Sequence, residues 1–289
     1  MTERKKNNDL SRFKLTGNSL PPLFKFNSVT LQYQVRPIPV IENLNMVAGN
    51  GGQHGRFIVI VGPSGCGKST ILRLMGGLLV PNSGEIKVLG QPVLAPSGKR
   101  GMVFQNYTSF DWLTVLENVR FSLELKNSDI KTANRIALKY LEMVGLTDYT
   151  SYYPKHLSGG MRQRVAIARS LVNEPDVLLM DEPFGALDHF TREDMQDNLI
   201  KTWRKLQNNI VFVTHDINEA VFLGDEVYVM TTKPMKVYKK HRIEFNYETR
   251  NRNLKYETEF VQLVKQIQDE IRFIMSENSK KYENKQDTF

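Results

Sequence analysis

FIVIVGPSGCGKST, Phe57 to Thr70, decides the fold of this chain. FIVIV is a short, wholly apolar run, the signature of a strand buried on both faces. It passes straight into small residues, and STILRLMGGLL beyond them reads as a helix. The loop between fits G-x-x-x-x-G-K-[ST] at Gly62, Gly67, Lys68 and Ser69. Small residues across Gly62, Pro63, Ser64, Gly65, Cys66 and Gly67 let backbone N–H groups curl around a β-phosphate. The helix that follows adds the positive end of its dipole. Lys68 can reach the β and γ oxygens, Ser69 can hold Mg²⁺ through its hydroxyl, and Thr70 lies beside the α-phosphate.

Two more buried strands lead to chemistry. DVLLMDEP ends with Asp181, whose carboxylate can hold Mg²⁺ through water, and Glu182, which can polarise an attacking water as general base. The plainer reading of this acidic pair is a helix N-cap ahead of Pro183; the glycine loop upstream favours the functional one. NIVFVTHD runs through Thr214 to His215, placed to hydrogen-bond a γ-phosphate and keep Glu182 and the water in line. A second helix opens on LSGGMRQR, where Ser158, Gly159 and Gly160 offer bare N–H groups to another anion.

Outward from these, the text sorts into three kinds. FKFNSVTLQY, PVIENLNMV and the later GEIKVLG read as strands, the first two as part of an antiparallel sheet, and AGNGGQHGR reads as a glycine-rich hairpin loop. In SDIKTANRIALKYLEMVGL, Ser128 is the expected cap, Ala133, Ala137, Tyr140, Leu141 and Val144 share a face, and Gly145 suits the end. The expected fold is therefore α/β: a P-loop NTPase core with a mostly parallel sheet, an N-terminal antiparallel β-subdomain and an α-helical insert over about 107–170. The expected layout is a flexible N-terminus at 1–20, an ATPase domain at 21–250, and a C-terminal helix with a disordered tail at 251–289. Phe260, Val264, Ile267, Ile271 and Ile274 give the tail one apolar stripe, suited to packing on its own domain.

The chain has 289 residues, a formal net charge of +8 and one cysteine. A single cysteine excludes an internal disulfide and suits a cytosolic setting. The polar N-terminus MTERKKNNDL lacks the apolar core of a signal peptide, and no apolar run approaches the ~20 residues of a membrane span. The basic balance permits nucleic acid or an anionic membrane as partner without indicating either.

The ordered set GPSGCGKST, VFQ at Gln105, LSGGMRQR, VLLMDEP, GALD at 185–188 and VTHD at 213–216 resembles the ATP-binding subunits of ABC transporters, over roughly residues 24–245. That resemblance implies ATP and Mg²⁺ as cofactors, Tyr33 stacking on adenine, Gln105 touching Mg²⁺ and relaying to a membrane subunit, and Asp188 at a dimer seam. With one set of motifs in the chain, it implies head-to-tail pairing with a second ATPase subunit, identical or closely related, a homodimer being the expected form. Ser158, Gly159 and Gly160 of one copy would then face the γ-phosphate held by the other. Transmembrane permease subunits, and through them a solute-binding protein, complete the implied assembly at the cytoplasmic face of the inner membrane, with no nucleic acid expected. NYTSFDWLTVLENV is similar to the importer subgroup for nitrate, sulfonates and taurine, with Tyr107, Phe110 and Trp112 as a groove for the permease. The long hairpin, Arg56 at a common acidic position, Asp111 at a common proline and Gly185 before ALD depart from the pattern. The alternative is a soluble ABC ATPase acting on nucleic acid or ribosomes.

Overall fold

The computed structural model describes residues 21–34, 38–49, 55–106, 108–246 and 248–286. The expectations for residues 1–20, for 50–54 of the glycine-rich hairpin and for Tyr107 lie outside them.

The chain begins with β1 (Phe24–Leu31) and β2 (Ile41–Ala48), then β3 (Phe57–Val61), α1 (Lys68–Gly76), β4 (Ser83–Val88), β5 (Gln91–Pro92) and β6 (Arg100–Val103). The insert supplies α2 (Val115–Glu124), α3 (Ile130–Met143) and α4 (Gly159–Leu171). There follow β7 (Val177–Asp181), α5 (His189–Leu206), β8 (Asn209–Val213), α6 (Ile217–Leu223), β9 (Glu226–Met230), β10 (Val237–Arg242) and α7 (Thr258–Gln286).

Two sheets result. β1 pairs antiparallel with β2 and β4, in the order β2-β1-β4-β5. The larger sheet runs β10-β9-β3-β8-β7-β6, parallel except for β10 at its edge. Its central strands alternate between two cores. Ile58, Ile60, Leu179 and Val211 pack toward the β-subdomain, while Val59, Leu178, Met180 and Phe212 pack toward the helices. Both faces are dry, which is why these strands read as unbroken apolar runs. Each such side chain buried contributes about 1.5–3 kcal/mol.

Several local readings are corrected. The cap of α3 is Asp129, whose carboxylate accepts from the Thr132 N–H at 3.0 Å, and not Ser128. Asp181 and Glu182 cap no helix; the next one, α5, starts at His189 under an Asp188 cap. The tail is helical to Gln286, beyond the point where disorder was expected, and Phe260, Val264, Ile267 and Ile274 bury against the domain. β6 and β10 went unread. RGMV is too short to show a period, and VYKKHR is an exposed edge whose lysines mask the pattern.

Candidate nucleotide site

Four adjacent parallel strands, β3, β8, β7 and β6, deliver their carboxyl ends to one edge. Their register is tight: Ile60 lies opposite Val213, Val213 opposite Asp181, and Val103 opposite Met180. The glycine loop, His215, the Asp181–Glu182 pair and Gln105 are therefore neighbours, although they span much of the sequence. Ligands bind open α/β sheets at such an edge.

The glycine loop is built for close approach. Gly67 has φ 119°, and a Cβ there would lie 2.7 Å from Val40 Cγ1 and 2.8 Å from Met235 Cε, so only glycine fits. A Cβ on Gly65 would meet nothing within 4 Å, so this side of the loop is open to a ligand. Lys68, only 5% exposed, donates to the carbonyls of Gly62 (2.9 Å) and Pro63 (3.2 Å), folding its ammonium back over the loop. Cys66 is buried beneath the loop, and burial pushes its thiol pKa up. Tyr33 lies half-buried with its hydroxyl 3.4 Å from Thr70 Oγ1, at the start of α1.

The metal-binding candidates also meet. Ser69 Oγ donates to Asp181 Oδ1 at 2.8 Å. Burial pushes the Asp181 carboxyl above its ordinary pKa, with the Ser69 bond pulling the other way. A hydroxyl and a carboxylate are hard oxygen donors suited to Mg²⁺, which takes few protein ligands and completes its shell with phosphate and water. The described residues contain no cluster of three or more His, Cys, Asp or Glu for another metal.

Glu182 stands at φ 43°, a left-handed conformation costly for a side-chain-bearing residue. Its N–H is held by Val213 O at 2.9 Å, and its Oε2 meets two donors. These are His215 Nδ1 at 3.0 Å and Gln105 Nε2 at 3.5 Å. The amide nitrogen of Gln105 thus faces Glu182, leaving its oxygen for a cation.

Ser158, Gly159 and Gly160 stand apart. Ser158 is exposed and caps α4, accepting from the Met161 N–H at 3.3 Å, and among the described residues no hydrogen bond joins this turn to the glycine loop. Asp188 is likewise exposed and accepts from the Thr191 N–H at 3.1 Å; the Thr191 hydroxyl and then this N–H lower its carboxyl pKa. A Cβ on Gly160 would lie 2.5 Å from Thr191 Cγ2, so these two turns pack together. One set of residues thus surrounds the loop and another forms a separate outward patch. Sequence reasoning missed Val40 and Met235 as the walls of Gly67, because ordinary apolar residues carry no local signal.

A family model described as ABC transporter matches residues 51–185. The nitrate import ATP-binding protein NrtD of Synechocystis sp. is 45% identical over 240 residues, covering 81% of this chain and 89% of the relative. The chain belongs to the ATP-binding subunits of ABC transporters. The aliphatic sulfonates import ATP-binding protein SsuB of Bacillus cereus is 44% identical over 206 residues, covering 71% and 79% respectively. Among solved structures, the post-hydrolysis dimer of the ATP-binding cassette MJ0796, bound to ADP and Pi, aligns at TM-score 0.66 with 33% identity, covering 77% of this chain and all of that one. This ABC subunit is accordingly an ATPase, and ATP is the nucleotide for its loop.

Proposed function

We propose that this chain is the ATP-hydrolysing subunit of an importer for a small anionic solute of the nitrate or sulfonate kind, working as a pair of identical copies under membrane permeases. The observation that carries the hydrolytic role is the Glu182 carboxylate, held by His215 and Gln105 one residue beyond the Ser69–Asp181 pair. Lys68 exchanges the carbonyls of Gly62 and Pro63 for the terminal phosphates. Ser69, Asp181 and the Gln105 amide oxygen would hold Mg²⁺, which would supply charge neutralisation on the phosphates. Glu182 takes the proton of the attacking water at its carboxylate, and His215 keeps that carboxylate in place. Tyr33, next to Thr70, is the stacking surface for the base.

The outward turns at Ser158 and Asp188 support pairing: the N–H groups of Ser158, Gly159 and Gly160 serve the nucleotide of the facing copy. The dimeric state of the cassette MJ0796 supports pairing. For the permease, a groove of about 450 Å³ opens between β6, α2 and α4, lined in part by Phe104, Phe110, Phe121 and Arg169. Phe110 stacks on Trp112 at 5.0 Å, and Trp112 is 73% exposed. Buried Asn118 fixes the loop by donating to the carbonyls of Phe110, Leu113 and Thr114. Among the described residues no helix is long and apolar enough to cross a membrane, so other chains supply the crossing. Docked there, the subunit lies at the cytoplasmic face of the inner membrane. The named relatives support an import system and lend nothing to the nucleic-acid or ribosome alternative.

Glu182→Gln keeps the size of the side chain and removes the base. Steady-state hydrolysis should fall by about 10²–10⁴-fold while ATP binding persists, and size exclusion with ATP should show a stable dimer. Undiminished turnover would remove Glu182 from the chemistry.

A further inference from the structure

Behind His215 lies a buried polar chain for which neither the glycine loop nor the metal pair has any use. Thr214 Oγ1 donates to Glu219 Oε2 at 2.6 Å. Gln196 Nε2 donates to Glu219 Oε1 at 3.3 Å, and Lys255 Nζ donates to Gln196 Oε1 at 2.9 Å. Thr214, Gln196 and Glu219 are 2%, 3% and 4% exposed. The chain crosses four parts of the fold: the end of β8, α6, α5 and the short turn Arg252–Tyr256 that leads into α7.

We propose that Glu219 is a positioning residue for His215, and that Gln196 and Lys255 hold it in register, so that the C-terminal segment braces the hydrolytic site. This rests on the role given to His215 above.

The direction of every bond is determined. Lys255 is a donor only, so the oxygen of Gln196 must face it and the amide nitrogen must face Glu219. Both oxygens of Glu219 are then filled by donors, and the hydroxyl hydrogen of Thr214 is committed to one of them. The Thr214 oxygen is left to accept, and it takes the Asp216 N–H at 3.0 Å. The backbone is thus fixed on either side of His215. Asp216 Oδ1 accepts in turn from the N–H groups of Asn218 and Glu219, anchoring the same segment to α6.

Two further contacts show that the chain is more than filling. Arg192 places Nε 3.9 Å from Glu219 Oε1 and Nη1 3.5 Å from Asp216 Oδ2, and its Nη2 donates to Leu187 O at 2.9 Å. It thereby connects the residue before Asp188 with the residues that flank His215. The turn that carries Lys255 is itself fastened to α5, through Arg252 to Asp194 (2.5 Å) and Asp197 (2.6 Å) and through Lys255 to Glu193 (3.0 Å). A buried carboxylate is costly unless each oxygen is satisfied, and a half-satisfied network is worse than an apolar one.

The test measures kcat, KM and ATP affinity on the full chain for four variants. Glu219→Gln turns one of two accepting oxygens into an amide donor, which then faces a donor on one side, either the Gln196 amide N–H or the Thr214 hydroxyl. It should lower kcat about tenfold through displacement of His215 and leave ATP affinity within about twofold. The swap Gln196→Glu with Glu219→Gln restores the matches along the chain, from Lys255 to the new carboxylate at 196, from the amide at 219 to that carboxylate and from Thr214 to the amide oxygen, and gives up only the 3.9 Å approach of Arg192 Nε. It should recover kcat to within about threefold of the native value, which loss of packing alone would not allow. Lys255→Met, remote from the nucleotide, should lower kcat severalfold at unchanged affinity, and it answers the same question if Glu219→Gln does not fold. A native kcat in Glu219→Gln or in Lys255→Met, or a swap variant no better than Glu219→Gln, overturns the proposal. His215→Ala is measured beside them: native turnover in that variant would defeat the role of His215 itself, a different failure.

Discussion

Replacing Arg250 by methionine keeps an unbranched apolar stem where the side chain is 1% exposed and deletes the guanidinium and its charge. Its guanidinium holds the last turn of α6 through Leu223 O (2.7 Å) and Phe222 O (3.4 Å). It also donates to Phe245 O at 3.0 Å and pairs with Asp225 Oδ1 at 3.2 Å. Without it Asp225 keeps the Phe57 N–H at 2.9 Å but loses its cation, and the end of α6 loses a capping donor. Removing one partner of a buried ion pair costs about 3–5 kcal/mol, which for a chain of this size is a fall in Tm of about 10 °C. Thermal and urea unfolding followed by circular dichroism measures it. The pH dependence sharpens the test. Burial already holds the Asp225 carboxyl above its ordinary pKa, and losing Arg250 moves it further up. An acid with a raised folded-state pKa binds its proton more tightly when folded, so stability falls as pH rises through the interval between the ordinary and the raised value. The deficit of Arg250→Met should therefore be largest at neutral pH and shrink as pH falls and the Asp225 carboxyl takes up its proton. Loss of less than about 1 kcal/mol, or a deficit indifferent to pH, would refute the argument.

Lys68→Ala removes the charge-assisted partner of the terminal phosphates, and calorimetry should show ATP binding weakened by about tenfold or more. Ser158→Arg places a bulky cation at the exposed start of α4: each monomer should still bind ATP, but light scattering should find no ATP-dependent dimer. Its loss of the Ser158 cap should also cost about 1 kcal/mol in unfolding experiments.

The parallel core was legible because its strands are short, apolar and followed by chemistry, as FIVIV and VLLMD show. The grouping of Lys68, Ser69, Asp181, Glu182 and His215 followed from strand ends sharing one edge; Gln105, just beyond the unread β6, came from the family resemblance alone. What escaped was carried by pairings that leave no period in the chain. Asp129 takes the cap from Ser128 by one residue, a shift no pattern resolves. β10 is recognisable only once β9 lies beside it. The bonds among Thr214, Glu219, Gln196 and Lys255 join separate elements, and a glutamate in INEAVFL reads as one more surface acid until α5 covers it.

Cys66, sealed beneath the glycine loop with its thiol pKa raised, has a practical consequence. The thiolate is the form that attacks alkylating reagents, so this buried sulfur should stay silent while the fold is intact. The native chain can thus serve as an unlabelled background. A single cysteine placed at Phe190, exposed near the start of α5, or beside Trp112 would carry a fluorophore or spin label alone, and nucleotide-driven approach of two copies could be followed by distance measurement without first removing the native thiol.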